Sequence, residues 1–251
     1  MIAHIKIGRI PVHVFTEETL HIEIDQVIKD SSKKTFLNTN AHLVQLANST
    51  EQWLINYFSE QVDYVVCDGA SIQLGAKYTN QVVPEKITYN IWFWNFAKFC
   101  SENNHSIFLL GGQDGVAQKA VQRLIDKNPE LKIYYHHGYF NKKSGSKEND
   151  EVIKMINKIK PNILVVCFGM PIQEKYIKDN YDLLNVNVFL SGGGALDFIS
   201  GNVKTAPSFI SKIYMEWFYR LCLDPKRLWK RYLIGNFMYI YYVLKYRKNK
   251  I

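Results

Sequence analysis

The sequence predicts an α/β fold in which helices cover both faces of a mostly parallel sheet, followed by a basic helical tail. Uninterrupted apolar runs alternate with segments of helical periodicity from residue 35 onward, as expected for strands buried on both faces. The run 163–168 is the clearest strand, because it ends abruptly at Gly169 and a polar helical segment follows. The short spacers between segments are typical of successive strand and helix units.

Each segment is assigned from its periodicity, its length and the residues that bound it. Pro11 parts two short apolar runs at the N-terminus, which favours a bent strand or hairpin. Asn40 is well placed to cap the helix after the first parallel strand. Residues 78–89 carry Pro84 and several polar residues and predict a loop. The predicted helices lie at 17–29, 41–47, 51–58, 71–76, 90–100, 115–127, 148–159 and 172–181, and the predicted parallel strands at 35–40, 64–67, 107–111, 131–136, 163–168 and 186–190.

The positive charge of the chain is concentrated at its C-terminus. Of 251 residues 47% are hydrophobic, enough for a sizeable core, and the net charge is +8. Residues 204–251 hold eleven Lys and Arg against Glu216 and Asp224, a net of +9, which leaves residues 1–203 with −1. We therefore divide the chain into an α/β core at 1–203 and a separable helical tail at 204–251. The tail predicts an anionic surface or a phosphate-bearing ligand as its partner.

The same tail predicts association with a membrane surface. Apolar residues recur at helical spacing at 209–221 and again at 228–244. The run 233–244 is shorter than the ~20 residues that a spanning helix needs, so we expect it to lie on a bilayer rather than to cross it. The N-terminus shows no charged segment followed by an apolar run, which argues against a secretory signal. We expect the protein in the cytoplasm, peripheral on the inner face of the cell membrane.

Asp68 is the candidate general base. Four predicted strands end in polar or glycine-containing turns, and in open parallel sheets ligands bind outside the carboxyl ends of the strands. Asp68 ends one of these strands, and a carboxylate partly shielded from water can have the raised pKa of a base. The alternative is that Asp68 caps the helix that follows, which is an equally common use of Asp-Gly-x-Ser.

Two glycine turns at strand ends favour a ligand of nucleotide size. Gly111 and Gly112 lie between a strand and a helix, where backbone N–H groups can approach an anion. Gly193 lies in the second turn, with Asp197 one helical turn further on. Neither turn has G-x-G-x-x-G or the lysine of a P-loop, and tight strand-to-helix turns also use glycine without any ligand. Both interpretations stay open.

Other polar and aromatic side chains near strand ends are candidates for substrate contacts. Gln173 follows Gly169 in the first turn of a helix, where an amide can hydrogen-bond a sugar hydroxyl or a uracil edge. Its neighbour Glu174 can complement the helix dipole. Tyr139 and Phe140 either stack on a base or form a buried aromatic turn.

No metal site is predicted. His136 and His137 are adjacent, but no matching Cys, Asp or His spacing accompanies them. The four cysteines form no C-x-x-C pair and are expected to be reduced thiols of the core.

A basic face in the tail is the last candidate site. Arg220, Arg227, Lys230 and Arg231 recur near helical spacing beside aromatic residues. Such a face could grip a pyrophosphate or lipid headgroups, and a solvated basic surface is the alternative. No recognised RNA- or DNA-binding motif is present, so nucleic acid is not an expected partner.

Several of these motifs, in unbroken order over residues 5–233, resemble one known family. The most specific are the block F-G-M-P-I-Q-E-K at 168–175 and the block E-W-F-Y-R-L at 216–221. On these residues the chain is similar to the WecG/TagA/CpsF glycosyltransferases. The other matching motifs are N-A at 40–41, D-G at 68–69, P-E-K at 84–86, L-G-G at 110–112, H-G-Y-F at 137–140 and G-G-G-A-L-D-F at 192–198.

The resemblance implies an inverting, metal-independent transferase that needs no cofactor. Such an enzyme moves a sugar from a UDP donor to a polyprenyl-pyrophosphate-linked saccharide in cell-surface polysaccharide synthesis. By the same resemblance Asp68 is the catalytic base, Gln173 contacts substrate, and the tail closes over the site with Arg220 and Arg227. The residues expected to bind donor or acceptor are Asn38, Thr39, Asn40, Lys86, Gly111, Gly112, Tyr139, Gly169, Gln173, Gly193, Asp197, Arg220, Arg227, Lys230 and Arg231.

Three positions depart from the pattern of that family. Asn38 stands where threonine is common, and K-I-T-Y at 86–89 stands for R-x-x-G. Lys230, followed by Arg231, stands for the third arginine of the tail. Lysine keeps the charge but lacks the bidentate fork of arginine, so the donor stays open among N-acetylhexosamine, hexose and uronic acid.

Two other classes of function are weighed against this one. A non-catalytic, membrane-associated scaffold of a glycan assembly complex is kept open by the departures at Lys86 and Tyr89. A nucleotide-cofactor oxidoreductase is favoured only by the Rossmann-like layout, and the missing G-x-G-x-x-G argues against it. The expected partners are the UDP-sugar, the polyprenyl-pyrophosphate-linked acceptor and an anionic membrane surface, and association into homo-oligomers is left open.

Overall fold

The chain folds into two compact units. The computed structural model describes residues 2–207, 209–210 and 213–247. One unit comprises residues 1–16, 39–87 and 204–251, and the other comprises residues 17–38 and 88–203. The segment predicted as a tail thus belongs to the first unit, and its residues 208, 211–212 and 248–251 lie outside the described residues.

Strands and helices alternate along the chain. The strands are β1 (His4–Ile7), β2 (Ile10–His13), β3 (Lys34–Thr39), β4 (Tyr64–Cys67), β5 (Ile107–Gly111), β6 (Ile133–His136), β7 (Ile163–Cys167) and β8 (Val188–Ser191). The helices are α1 (Glu17–Lys29), α2 (Ala41–Asn48), α3 (Trp53–Glu60), α4 (Ala70–Tyr78), α5 (Tyr89–Glu102), α6 (Val116–Lys127), α7 (Lys147–Ile159), α8 (Ile172–Asn180), α9 (Ala195–Ile199), α10 (Glu216–Leu223), α11 (Pro225–Trp229) and α12 (Gly235–Lys245). A π-helical turn, Lys230–Ile234, joins α11 to α12.

The second unit is built on parallel strands in the order β3-β8-β7-β5-β6. The central strand β7 is buried at every position and pairs with β8 on one side and β5 on the other. Ile163 is in register with both Val188 and Ile107. Burial on both faces explains why these strands are apolar without alternation. The carboxyl ends of β5, β7 and β8 therefore lie side by side.

Helices flank the sheet of the second unit through apolar stripes. In α6 the buried residues Val116, Ala120 and Leu124 recur every four positions. Helix α7 begins at a serine cap, because Ser146 accepts a hydrogen bond from the N–H of Asn149. Helix α5 buries a row of aromatic residues, in which Trp92 stacks on Phe96 with ring centroids 4.5 Å apart.

The first unit contains an antiparallel hairpin and the strand β4. Pro11 lies inside β2, opposite Lys6 of β1, so the two N-terminal apolar runs form a hairpin rather than one bent strand. His13 ends β2, and its Nδ1 accepts a hydrogen bond from the N–H of Val65 in β4 at 2.9 Å. This bond needs an unprotonated nitrogen, and burial accordingly lowers the pKa of His13 to about 4.

The C-terminal helix α12 packs within the first unit. Its buried residues Gly235, Tyr239 and Val243 recur every four positions, and this stripe faces α2 and α4. Most of its other apolar residues are exposed, among them Phe237, which is 75% exposed. Helix α12 is therefore anchored along one narrow face.

The predicted fold class, a mostly parallel α/β sheet flanked by helices with C-terminal helices, is confirmed. Helix α1 and strands β4 and β5 have the predicted bounds. Residues 79–88 form no helix or strand, as expected for the loop around Pro84. One expectation about the cysteines is wrong, because Cys222 is exposed on α10 whereas Cys67, Cys100 and Cys167 are buried.

Candidate active site

Asp68 directly follows β4 and lies against the start of α2. Asn40 caps α2 by accepting hydrogen bonds from the N–H groups of His42 and Leu43, at 3.0 and 3.2 Å. Its Nδ2 donates to Oδ2 of Asp68 at 3.2 Å. The N–H of Asp68 donates to the carbonyl of Thr39 at 2.8 Å. One amide, Asn40, thus holds both the helix start and the carboxylate.

The alternative prediction, that Asp68 caps the helix that follows, is wrong. Gly69 occupies the N-cap position of α4, with a φ of +89° that favours glycine. Burial raises the pKa of Asp68, and the charge of Glu216 adds to this. The hydrogen bond from Asn40 and the charges of Arg220 and Arg231 act in the opposite direction. A carboxylate with a raised pKa is a stronger base than an ordinary aspartate, as a proton acceptor in catalysis requires.

Lys86 is held beside the same strand end. The N–H of Ile87 donates to the carbonyl of Cys67 at 2.8 Å and fixes the loop at the end of β4. Nζ of Lys86 lies 3.0 Å from Oε1 of Glu216 at the start of α10, and both side chains are about a quarter exposed. Glu216, Arg220 and Arg231 act on the charge of Asp68, and Lys86 joins this group through its ion pair with Glu216. We call these five residues and Asn40 the Asp68 cluster.

A cavity of about 500 Å³ opens beside this cluster. Its described lining contains three basic side chains, Arg227, Lys230 and Arg231, and no acidic one. His42, also in the lining, has its pKa lowered to about 4 by burial and then by the charge of Arg231, so its ring is neutral at pH 7. The chemistry of this lining suits an anionic ligand. The full lining is His42, Gln45, Arg227, Leu228, Lys230, Arg231, Ile234, Gly235 and Met238.

Arg227 points its guanidinium along the protein surface. Its Nε lies 2.5 Å from Oδ2 of Asp224, the residue that caps α11, and its side chain is 71% exposed. Exposed ion pairs of this kind contribute little to stability, so the pair orients Arg227 rather than stabilising the fold.

In the second unit, Gln173 joins two glycine turns. Its Oε1 accepts hydrogen bonds from the N–H of Gly169 at 3.2 Å and from the N–H of Gly193 at 2.9 Å. These glycines follow β7 and β8, so a single amide oxygen ties the ends of two neighbouring strands. Gln173 is fully buried. The N–H groups of Gly169 and Gly193 point at this oxygen, whereas a phosphate cradle would direct them at a ligand.

Glu174 orients the amide of Gln173. The Nε2 of Gln173 donates to Oε1 of Glu174 at 2.9 Å, which leaves the amide oxygen facing the two turns. Glu174 is also fully buried, and burial raises its pKa to about 7 although the hydrogen bond from Gln173 lowers it. The sequence predicts only that Glu174 complements the helix dipole. Its burial in the fold shows that it also orients Gln173.

Packing accounts for the glycines at the end of β5. A Cβ at Gly111 would lie 2.4 Å from the carbonyl oxygen of Cys167 in β7, closer than real contacts allow. The carbonyl of Gly112 accepts the N–H of Gly138 at 2.8 Å. Close approach of neighbouring backbones thus explains this pair without a ligand, and anion binding at Gly111 and Gly112 stays a prediction.

Tyr139 and Phe140 follow β6, and each matches a different one of the two predicted roles, stacking on a base or forming a buried aromatic turn. Phe140 packs edge-on against Phe168 and Tyr176, with centroids 6.0 and 6.2 Å away, so it forms the apolar turn. Tyr139 is 68% exposed and lies with His137 in the lining of a second cavity, of about 410 Å³. Of the pair, Tyr139 is the residue able to stack on a ligand.

Two further candidates of the second unit are partly or fully buried. Asn38 is 2% exposed, its N–H donates to Oγ of Ser191, and the Ser191 hydroxyl donates to its Oδ1, both at 2.8 Å. These bonds join β3 to β8. Asp197 lies in the first turn of α9, and its charge helps to raise the pKa of the Cys167 thiol after burial has done so.

The structure thus gathers the predicted residues Asn40, Asp68, Lys86, Arg220 and Arg231 within the first unit. Gly169, Gln173 and Gly193 meet within the second. Glu216 and His42 were not predicted as site residues. Glu216 could have been found from the sequence, because it begins the E-W-F-Y-R-L block. No sequence pattern around His42 indicates a site residue.

A parallel α/β fold with a carboxylate at a strand end and a cationic cavity beside it has the elements needed to bind a phosphate-bearing substrate. The sequence pattern of the glycosyl transferase WecG/TagA/CpsF family matches residues 5–251, and the chain belongs to this family. It is a glycosyltransferase, as predicted. This membership removes the oxidoreductase alternative.

Curated relatives of the chain come from Staphylococcus aureus. The proteins of strains NCTC 8325 / PS 47, COL and MSSA476 are each 29% identical to it over 210 residues, which cover 83% of this chain and 80% of the relative. Each is named N-acetylglucosaminyldiphosphoundecaprenol N-acetyl-beta-D-mannosaminyltransferase.

Within residues 2–207, 209–210 and 213–247, no helix has the length and apolar character needed to cross a bilayer. The same residues contain no group of three or more His, Cys, Asp or Glu side chains placed to hold a metal ion.

Proposed function

We propose that this chain transfers a sugar, with inversion, from a UDP donor to a saccharide carried on a polyprenyl diphosphate. The relatives act, by their names, on an N-acetylglucosaminyl-diphosphoundecaprenol, which supports an acceptor of that class here. The donor is an N-acetylhexosamine, a hexose or a uronic acid. The observation that carries the proposal is the carboxylate of Asp68, shielded at the end of β4 and oriented by Asn40.

In the proposed reaction Asp68 acts as the general base. The acceptor hydroxyl gives its proton to the carboxylate while its oxygen bonds to the anomeric carbon of the donor. The bond from that carbon to the β-phosphate oxygen breaks, and UDP leaves with the electron pair. A single displacement of this kind inverts the anomeric carbon. The raised pKa of Asp68 makes its carboxylate a stronger base toward the acceptor hydroxyl than an ordinary aspartate.

Basic residues of the first unit are proposed to balance the charge of the leaving UDP. Lys86, Arg220, Arg227, Lys230 and Arg231 supply cations at or near the Asp68 cluster and its cavity. A preorganised donor that meets developing charge can contribute ~3 kcal/mol to the transition state. We propose that these residues supply this function without a bound metal or other cofactor.

Replacement of Asp68 by Asn tests the base directly. The amide keeps the shape of the side chain but cannot take the proton, so kcat for UDP release with a polyprenyl-diphosphate-GlcNAc acceptor should fall by about 10²- to 10⁴-fold. Asp126→Asn, an exposed carboxylate on α6, is the matched control and should keep wild-type kcat. Wild-type turnover in Asp68→Asn would remove Asp68 from the mechanism, and absence of turnover in the wild type with every UDP-sugar would favour the scaffold alternative.

A screen of UDP-sugars identifies the donor. UDP-linked N-acetylmannosamine, N-acetylglucosamine, glucose and glucuronic acid are compared at equal concentration with the same acceptor. The proposal expects kcat/KM for one donor to exceed the others by at least about tenfold, because a site that hydrogen-bonds a particular substituent discriminates against its absence. Equal rates with all four would contradict a specific sugar pocket.

The exposed apolar face of α12 and the preceding turn supports docking on the inner membrane face. Leu233, Phe237, Ile240 and Leu244 are each 46% or more exposed. Phe237→Asp should weaken sedimentation with anionic phospholipid vesicles, because a charge then replaces an inserted ring. Ile22→Asp, at an equally apolar position that is 60% exposed on α1, is the control and should sediment like the wild type. Equal losses in both variants would contradict the assignment of this face.

A further inference from the structure

A buried phenol anchors the C-terminal helix to the helix that follows Asp68. Tyr239 of α12 is 5% exposed, and its hydroxyl donates to the carbonyl oxygen of Ser71 at 2.6 Å. On the same helix Phe237 and Tyr241 are 75% and 57% exposed. Tyr239 is thus the inward-facing polar contact of a helix whose other aromatic residues mostly face outward.

A glycine in α4 makes room for this phenol. A Cβ at position 75 would lie 2.2 Å from the hydroxyl oxygen of Tyr239 and 3.3 Å from both its Cζ and a methyl of Ile7. Glycine lowers the stability of a helix interior, so its presence in the middle of α4 needs a reason. The notch at Gly75 supplies one, since any side chain there would displace Tyr239.

A short series of hydrogen bonds leads from Tyr239 to Asp68. Ser71 lies in the first turn of α4, three residues after Asp68, and its Oγ accepts the N–H of Ala41 at 3.1 Å. Ala41 begins α2, and the cap of α2, Asn40, donates to the carboxylate of Asp68. Every residue in this series belongs to the first unit. Movement of Ser71 would therefore be felt where Asn40 meets Asp68.

We propose that Tyr239 is a positioning residue, which couples the docked C-terminal helix to the orientation of the Asp68 carboxylate through Ser71 and the Asn40 cap. The inference rests on the proposed function, in which Asp68 is the base. It assigns to the C-terminal helix a second task, separate from supplying cations and from contacting lipid.

Tyr239→Phe tests the coupling, because it removes only the hydroxyl. The variant should lower kcat for UDP release by about tenfold, since small displacements of a reacting group are costly, while KM for the UDP-sugar and sedimentation with anionic vesicles stay unchanged. The rise of kcat/KM with pH should move to higher pH, because the hydrogen bond from Asn40 favours ionised Asp68. A general loss of stability would not move that rise. Tyr242→Phe, on the same helix, half-exposed and without a side-chain hydrogen bond in the described residues, is the control and should behave like the wild type.

A double variant keeps the test decisive if single variants fold poorly. Gly75→Ala should lower kcat by more than Tyr239→Phe, because the added methyl meets the hydroxyl oxygen. In Gly75→Ala/Tyr239→Phe that oxygen is absent and only the two contacts at 3.3 Å remain, so kcat should recover most of the way to the level of Tyr239→Phe. If the two losses of kcat multiply in the double variant, Gly75 does not act by making room for the hydroxyl of Tyr239. Wild-type kcat and pH profile in Tyr239→Phe, with Asp68→Asn inactive, would overturn the coupling alone, whereas full activity of Asp68→Asn would overturn the proposed function.

Discussion

The second unit centres its polar chemistry on Gln173 and Glu174, which are both fully buried, whereas the first centres it on Asp68, a half-buried carboxylate among charged side chains. In the second unit the amide of Gln173 is occupied by backbone N–H groups and by Glu174. In the first unit the cations outnumber the carboxylates around Asp68. The two centres differ in what surrounds the polar group, not only in the group itself.

Because of this difference, the centre at Gln173 fixes the conformation of the backbone, whereas the centre at Asp68 is suited to catalysis. A buried amide whose bonds all go to protein fixes the turns it joins, since breaking any bond leaves a polar group without a partner. A half-buried carboxylate with charges of both signs nearby has a tunable pKa and access to a reacting proton. Four variants in three experiments test the contrast, from the largest expected effect on stability to the smallest.

Gln173→Leu should destabilise the protein most, by about 4 kcal/mol. The substitution keeps a buried side chain of similar size but leaves the N–H groups of Gly169 and Gly193 without their acceptor, each worth roughly 1 to 3 kcal/mol. Urea unfolding followed by tryptophan fluorescence measures the change. Gln118→Leu, at an exposed position on α6, should stay within about 0.5 kcal/mol of the wild type. Equal stability of the two variants would mean that Gln173 does not hold the turns.

Glu174→Gln should change the pH dependence of the free energy of unfolding by about 3 kcal/mol between pH 4.5 and 7. The folded pKa of Glu174 is about 7 against 4.5 for an ordinary glutamate, so the folded state binds the proton more tightly and the wild type loses stability as pH rises through this range. The glutamine variant lacks this loss and should gain on the wild type between pH 4.5 and 7.

The measurement is the difference in unfolding free energy between wild type and Glu174→Gln at several pH values. Burial lowers the pKa of His13, His21 and His42 to about 4, which makes stability rise with pH in an overlapping range. Both proteins share these histidines, so their contribution cancels in the difference. A difference that does not vary with pH would contradict a raised pKa at Glu174.

Charge changes around Asp68 should have the smallest effect on stability, and they should instead move the pH profile of kcat/KM. Arg220 lowers the pKa of Asp68 and Glu216 raises it. Arg220→Gln should therefore move the rise of kcat/KM to higher pH, and Glu216→Gln should move it to lower pH. Glu151→Gln, on α7 of the second unit, should leave the profile in place. Shifts of the same sign in both cluster variants would argue against Asp68 as the titrating base.

Much of the fold was visible in local patterns. Apolar runs bounded by glycine predicted β4, β5 and β7, and helical spacing predicted α1 over its whole length. Asn40 was recognised as a cap because capping depends on a few consecutive residues. The residues around Pro11 fit either a bent strand or a hairpin, since pairing of β1 with β2 depends on register rather than on the run itself.

The sequence by itself determined the order of strands and helices, the cap at Asn40 and the place of Asp68 at a strand end, because each depends on neighbours within a few residues. Only the tertiary structure decided that the amide oxygen of Gln173 binds two backbone N–H groups, that Glu174 is buried, and that Tyr239 fills the notch at Gly75. Apart from the N–H of Gly169, four residues before Gln173, the groups that meet are about 20 to 170 positions apart in the chain. Their burial and hydrogen bonding exist only once folding brings them into contact.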